Sequence, residues 1–279
     1  MNCERAHAGR ARLFPVTGRL RGTSRSLTTK TLDVLGAFTP QRPRLSLSEI
    51  ARVAGLSLTT THRIVGDLVE WRALERSTNG RYQVGLRLFE TASLSPRGLP
   101  LREVALPFME DLYEATHENV QLAVREELEV VYVERLAGRG AVPVLTRVGG
   151  RFALHATGVG LVLLANAPDA VREQVLGGRL ERWTDQTVTD PAHLRAVLAE
   201  VRARGVAVSD RQVTDDALSV ACPIHDRNDA VVAALSVVVH ADEGHEAVAL
   251  VPAVRAASRS ISRALGSPSA QRPSGVRVR

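Results

Sequence analysis

Apolar residues recur at helical spacing through the first hundred positions and at alternating spacing through much of the remainder. The chain is therefore divided before any motif is read. Leu27, Leu32, Val34, Leu35 and Phe38 predict a helix from Ser26 to Phe38, which Pro40 and Pro43 end. Ile50, Ala51, Val53 and Ala54 predict a second helix. Ser46 and Glu49 have the spacing of a capping box at its start. Gly55 stands where its end calls for a positive φ. Ser57 is an N-cap for a third helix, from about Leu58 to Trp71, with Ile64, Val65, Leu68 and Val69 turned inward. Leu74–Arg76 and Arg81–Val84 read as two strands joined at Asn79-Gly80, the favoured pair for a two-residue hairpin turn. Helix, glycine turn, helix and hairpin in this order predict a winged helix-turn-helix.

Leu86 to about Leu94 reads as a linker helix, stopped by Ser95, Pro96 and Gly98. A long amphipathic helix follows from about Leu101 to Thr116, with Pro107 expected to kink it. Val120–Val124, Val130–Val133, Val142–Val148 and Phe152–Leu154 are strand-like. Helices are expected over Gly158–Asn166, Asp169–Leu176 and Asp190–Arg204, the last with Asp190 as N-cap and Pro191 at its first position. Val206–Ser209, Ser219–Ile224 and Val231–Val239 read as strands, and Glu246–Leu265 as a closing helix. Strands bracketed by helices predict an α+β domain rather than a parallel nucleotide-binding sheet. Gly158-Val159-Gly160 opens a helix but lacks the rest of a dinucleotide or phosphate-loop fingerprint.

A length of 279 residues with 44% hydrophobic positions allows two domains with their own cores. No apolar run approaches the roughly 18 to 20 residues of a membrane span, and no secretory signal pattern is present. Cys3 and Cys222 are the only cysteines, which excludes a disulfide framework or a zinc spacing and makes a cytoplasmic setting the expectation. No cofactor is expected. The net charge of +6 is concentrated at the ends. Residues 1–30 hold seven basic side chains against Glu4, and Arg272, Arg277 and Arg279 face no acid near the C-terminus. The body is mildly acidic, so the high pI is not evidence that it binds DNA. Lys30 is the only lysine, which codon composition explains.

In a helix-turn-helix the second helix enters the major groove by its N-terminal end. Ser57, Thr59, Thr60, His62 and Arg63 lie on or beside that exposed side and are the candidate DNA contacts. Their hydroxyls suit phosphates or base edges, and the guanidinium suits guanine or phosphate. Arg76 and Arg81 flank the wing tip and complete the set.

These segments resemble the IclR family of bacterial transcription regulators. The resemblance covers about residues 27 to 265. It is carried by LSLSEIARVAGLSLTTTHRIVGDLVEWRALERSTNGRYQVGLRLFE, LHATGVGLVLLA, DPAHLRAVLAEVRARGVAVSDRQ and VVAALSVVV. It implies an N-terminal winged helix-turn-helix, a linker helix and a C-terminal GAF-like effector-binding domain. The implied partners are a palindromic double-stranded DNA operator, a small organic acid or aromatic effector, and further copies of the chain as a homodimer or dimer of dimers. A repressor is the more common outcome, and no membrane is involved. The expected organisation is a basic disordered tail over 1–26, the DNA-binding domain over 27–85, the linker helix and turn over 86–100, the effector domain over 101–265 and a second basic tail over 266–279.

The resemblance also implies an effector site at His155, Thr157, Gly158 and Val159, where backbone N–H groups at a helix start suit a carboxylate. Asp210 matches a further position of it, and Ser219 stands where the family usually has a cysteine. The chain departs from the family pattern at Leu58, where a lysine is usual, at Thr61, where an apolar residue is usual, and at Leu161 and Leu218 near the effector site. Three other readings compete. Cys222 with His155 or His225 could be drawn as nucleophile and base, but Cys222 lies in an apolar strand run, where a free thiol acts as a small hydrophobe. His240, Asp242 and His245 could be drawn as metal ligands, but a charged loop explains them more simply. A GAF-like ligand-binding or interaction module without specific DNA binding is the alternative that keeps the fold.

Overall fold

The computed structural model describes residues 25–95, 98–138, 140–241 and 247–271. The chain divides into two compact units, with the division between Gly98 and Leu99.

The first unit opens with α1 (Leu27–Leu35), α2 (Leu47–Ala54) and α3 (Leu58–Glu70). Each start is capped by a serine accepting a backbone N–H: Ser26 from Thr29, Ser46 from Glu49 and Ser57 from Thr60. Ser46 and Glu49 complete the expected capping box, since the Glu49 carboxylate accepts the Ser46 N–H at 2.7 Å. Gly55 closes α2 at φ 64°, a left-handed conformation glycine adopts without a Cβ clash. Ile50, Ile64, Val65 and Leu74 are buried in one core with Val34 and Tyr82. Thr61 is also buried, and its hydroxyl is satisfied by the Ser57 carbonyl at 2.9 Å.

The wing is β1 (Leu74–Arg76) paired antiparallel with β2 (Tyr82–Val84). Its turn differs from the expected two-residue form. Gly80 N–H donates to the Ser77 carbonyl, Ser77 N–H donates to the Arg81 carbonyl, and only Gly80 of the Asn79-Gly80 pair has a positive φ, at 79°. A two-residue turn of the expected kind needs positive φ at both central residues. Asn79 instead spends its side-chain carbonyl on the Ser77 hydroxyl and the Arg81 N–H, which holds the longer turn. The unit ends with α4 (Leu86–Ala92), two residues shorter than expected.

The second unit begins with α5 (Leu99–Thr116), which continues through Pro107. A six-stranded antiparallel sheet follows, made of β3 (Asn119–Glu126), β4 (Glu129–Leu136), β5 (Arg151–Ala153), β6 (Ala207–Asp210), β7 (Ala217–His225) and β8 (Val231–His240). Its order is β5-β4-β3-β8-β7-β6. Between β5 and β6 lie α6 (Gly158–Ala165), α7 (Asp169–Leu176) and α8 (Pro191–Arg204). The chain then adds α9 (Ala247–Ala264) and α10 (Pro268–Gln271).

Alternation along the strands feeds two cores. Leu122, Val220, Leu235 and Val237 pack with α5 and α9 through Met109 and Ile261. Ala123, Ala221 and Ala234 pack with α6 and α8 through Leu161, Leu164 and Leu194. Every residue of α6 is buried, so it is apolar on all sides. Small alanines on the facing strands leave room for it.

Three expectations are corrected. Val142–Val148 forms no strand, because side chains take the place of a ladder: Asn119 Nδ2 donates to the Val142 carbonyl at 2.8 Å, Gln121 Nε2 to Thr146 Oγ1 at 2.7 Å and Arg135 Nη1 to the Thr146 carbonyl at 3.0 Å. The disordered tail expected from 266 onward contains α10, where Ser267 and Ala270 are buried and Asp229 Oδ1 accepts from the Ser267 hydroxyl and the Ser269 N–H. The N-terminal tail expected over 1–26 has an ordered end, since Ser26 caps α1 and Arg25 donates to the Ala54 and Gly55 carbonyls at 3.0 Å each. The rest of both expected tails lies outside the described residues.

Candidate DNA-reading helix and ligand cleft

The N-terminal half of α3 presents Ser57, Leu58, Thr59, His62 and Arg63 at the surface, while Thr60 is half-buried. The helix places them there by burying Thr61, Ile64, Val65 and Leu68 on the opposite side. Ser57 and Thr60 are partly committed, since the Ser57 hydroxyl donates to Thr60 Oγ1 at 2.9 Å. Thr59, His62 and Arg63 form the open part of the face, and Arg63 makes no ion pair among the described residues. Leu58, 55% exposed, extends that face with an apolar side chain.

The two wing arginines differ. Arg76 is exposed and lies over the Tyr82 ring at 5.7 Å, free to turn outward. Arg81 instead donates to the Glu49 carboxylate and the Arg44 carbonyl, both at 3.1 Å. It ties the wing to α2. Hydrogen bonds from the Ser46 N–H and hydroxyl, aided by the Arg81 charge, hold the Glu49 carboxyl below its usual range. Arg44, exposed and donating to Gln83 at 3.1 Å, is a further cation beside the wing that sequence reading missed.

In the second unit a cleft opens where α6 begins over the sheet. Thr157, Gly158, Val159 and Ser219, four of the six expected effector residues, line it together. Thr157 caps α6, its hydroxyl accepting the Gly160 N–H at 3.0 Å. The amides of Gly158 and Val159 precede any intrahelical acceptor, so they face outward from the helix start. Gly158 has a steric reason: a Cβ there would come within 2.7 Å of Ser219 Oγ and 3.3 Å of the Ala221 side chain. Gly160 has another, since its Cβ would meet the Leu154 carbonyl at 2.4 Å.

The opposing wall is Val144, Leu145 and Thr146 from the loop that β3 side chains hold in place. Gln121 and Tyr132 form part of the floor, and Gln212 and Thr214 part of the rim. The Tyr132 hydroxyl, bonded to the Thr157 side chain, is kept neutral by burial, which pushes its pKa far up. Gln121, Tyr132, Thr146 and Gln212 were not found from the sequence, because only tertiary structure brings them together.

Two expected effector residues lie elsewhere. His155 is buried beside the Trp183 ring at 5.4 Å, and its Nε2 hydrogen bonds with the Glu181 carbonyl at 2.9 Å. Burial lowers its pKa, so it packs as a neutral ring. Asp210 is exposed, 4.0 Å from Arg211, because β6 alternates and its neighbour Ser209 takes the inward position. Cys222 is 1% exposed, and burial pushes its thiol up to about 11, the wrong direction for a nucleophile. Among the described residues no cluster of His, Cys, Asp and Glu could hold a metal. Asp242 and His245 lie outside them.

A capped recognition helix beside a wing, with a separate α+β unit that offers an uncharged cleft, defines the class of winged helix-turn-helix proteins that carry a sensor domain. Residues 28–78 match the family described as the IclR helix-turn-helix domain, and residues 95–263 match the bacterial transcriptional regulator IclR C-terminal domain. The chain belongs to the IclR family of DNA-binding transcriptional regulators, which are not enzymes. It is 33% identical over 228 residues to the glycerol operon regulatory protein of Streptomyces coelicolor, covering 80% of this chain and 89% of that one. It is 27% identical over 243 residues to the regulator XynR of Escherichia coli, covering 86% and 96%. Among solved structures, an IclR homolog from Microbacterium hydrocarbonoxydans complexed with 4-hydroxybenzoate superposes with a TM-score of 0.82 at 38% identity, covering 86% of this chain and 99% of that one. Thermotoga maritima IclR gives 0.71 at 27% identity, covering 86% and 98%.

Proposed function

We propose that the protein is a repressor that binds a palindromic operator as a dimer or dimer of dimers and responds to a small organic acid, aromatic acids included. The observation that carries this reading is the face of α3, where Thr59, His62 and Arg63 stand exposed on a helix fixed from behind by four buried residues. Two copies would place their recognition helices in successive major grooves, about 34 Å apart. Arg63 contacts guanine or phosphate, Arg76 and Arg44 contact the backbone, and Leu58 offers an apolar contact that favours a thymine methyl over a phosphate. Arg81 acts through the position of the wing. The work takes place in the cytoplasm.

The effector reading rests on the cleft beside the start of α6, and the aromatic-acid complex of the Microbacterium homolog supports its ligand class. To regulate, the ligand must bind the DNA-competent and incompetent states with different affinity. The test is binding to the DNA upstream of the protein's own coding sequence and to a scrambled duplex at fixed, near-physiological salt. A complex about a thousandfold tighter on the first is expected. Arg63→Glu should abolish that preference while leaving acid binding intact. Unchanged operator affinity in this variant would remove α3 as the reading element.

A further inference from the structure

The cleft of the second unit has a property that its place in the fold does not require: none of the side chains lining it is charged. Its walls combine aliphatic groups, such as Val144, Leu145, Val213 and Val238, with hydroxyls and carboxamides. Aliphatic groups make up much of that lining, so contact with a ligand body is mainly hydrophobic. Arg135 and Arg211 touch lining residues from outside, and each has hydrogen-bond partners, though the buried Nε of Arg135 has none among the described residues. Arg135 donates to the Thr146 carbonyl and to Asn119 Oδ1 at 3.0 and 3.1 Å. Arg211 donates to the Ala241 carbonyl at 3.4 Å and lies 4.0 Å from Asp210. The electropositive feature within the lining is the start of α6, with the Gly158 and Val159 amides and a dipole equivalent to about half a charge. Ser219 Oγ stands beside it, close enough that a Cβ on Gly158 would collide with it.

A second polar feature is independent of that helix. Ser236 Oγ is completely buried and has no hydrogen-bond partner among the described residues. By strand alternation it shares a face of β8 with the lining residue Val238, and it stands opposite the lining residue Gln121 in register. Ser236 does not itself line the cleft, so its unmet hydroxyl adds polarity behind the Gln121 side of the cleft.

We infer that the cleft selects acids carrying a single carboxylate on an otherwise uncharged body, and that it rejects dicarboxylates. One carboxylate is met by the α6 amides and Ser219. A second would leave water to lie among aliphatic side chains and neutral hydroxyls, with no charged side chain in the lining to repay its desolvation. A neutral hydroxyl at that far end is accommodated, because Thr146, Gln212 and Thr214 can each donate or accept. This inference rests on the effector-binding reading of the cleft.

The test is calorimetric titration of the full chain at near-neutral pH with two matched pairs, 4-hydroxybenzoate against benzene-1,4-dicarboxylate and pentanoate against pentanedioate, plus methyl 4-hydroxybenzoate as the neutral control. In at least one pair the monoacid should bind, with its diacid about a hundredfold weaker or worse. The ester should lose about tenfold or more relative to its acid. Thr214→Arg, which adds a cation at the half-buried rim, should narrow the gap between acid and diacid by about tenfold. A diacid that binds as tightly as its monoacid overturns the selectivity while the effector reading stands. An ester equal to its acid overturns the role given to the carboxylate. If none of the five compounds binds, the effector reading itself fails, and the inference with it.

Discussion

Arg76 and Arg81 show how little a residue type says about its job. Both are wing arginines a few positions apart, yet Arg81 is held by Glu49 and the Arg44 carbonyl while Arg76 only rests on an aromatic ring. Likewise Ser209 turns into the sheet interior and Asp210 turns out, and a period of two makes that single step decisive. Gly66 raises a different question. It is an exposed residue in the middle of α3, and an added Cβ would meet nothing within 4 Å. Glycine in a helix interior costs about 0.5 to 1 kcal/mol relative to alanine. Gly66→Ala should therefore raise the unfolding free energy of the first unit by about that amount, measured by urea denaturation followed through Trp71 fluorescence. A loss of stability would show that the glycine answers a local constraint that the open space around it does not reveal.

Elements were legible where their determinants are local. The caps of α2 and α3 were readable because serine, glutamate and glycine act on backbone groups within a turn or so of themselves. Thr157, Gly158 and Val159 were expected from the family resemblance, and as consecutive residues they reach the cleft together. Val142–Val148 misled, because valine alternation cannot announce that Asn119, Gln121 and Arg135 will take over its hydrogen bonds. The segment that becomes α10 misled in the other direction. It has little apolar pattern, and its anchor is Asp229, far away in sequence. His155 was expected at the effector site from the same resemblance, and its stacking on Trp183 is a tertiary contact that local spacing does not announce. The α2 cap gives a direct test. Ser46→Ala removes one half of the capping box and a hydrogen bond from Glu49, so the first unit should lose about 1 kcal/mol. Thermal melts would check it; a change within a few tenths of that scale around zero would mean that Glu49 and Arg81 hold the helix start without the serine.

At the scale of the whole molecule, the two units should respond differently to acid. His155 and His225, both in the second unit, have lowered pKa values because burial disfavours their charged forms. The unfolded chain takes up those protons near the ordinary value of 6.5, before the folded protein does. Stability contributed by the neutral rings is thus lost as pH falls below about 6.5 toward the folded values. In the first unit the lowered group is the Glu49 carboxyl, whose contribution is lost only below its ordinary 4.5. Trp71 and Trp183 put one tryptophan in each unit, so Trp71→Phe and Trp183→Phe isolate the two melts. Between about pH 7.5 and 5.5 the Trp183 melt should move down by more than the Trp71 melt. Equal shifts would place the sensitivity outside the two histidines.

The order of strands in the sheet also bears on how the protein is made. The central pairing of β3 with β8 joins Asn119 to Val238, so the sheet cannot close until nearly the whole chain has left the ribosome. The core of the first unit, by contrast, draws only on residues between Val34 and Leu88. Short-range contacts form quickly and distant strand pairings slowly, and domains fold as units from the N-terminal side during synthesis. Each nascent chain therefore acquires its recognition helix while the sheet that would hold an effector is still missing its middle.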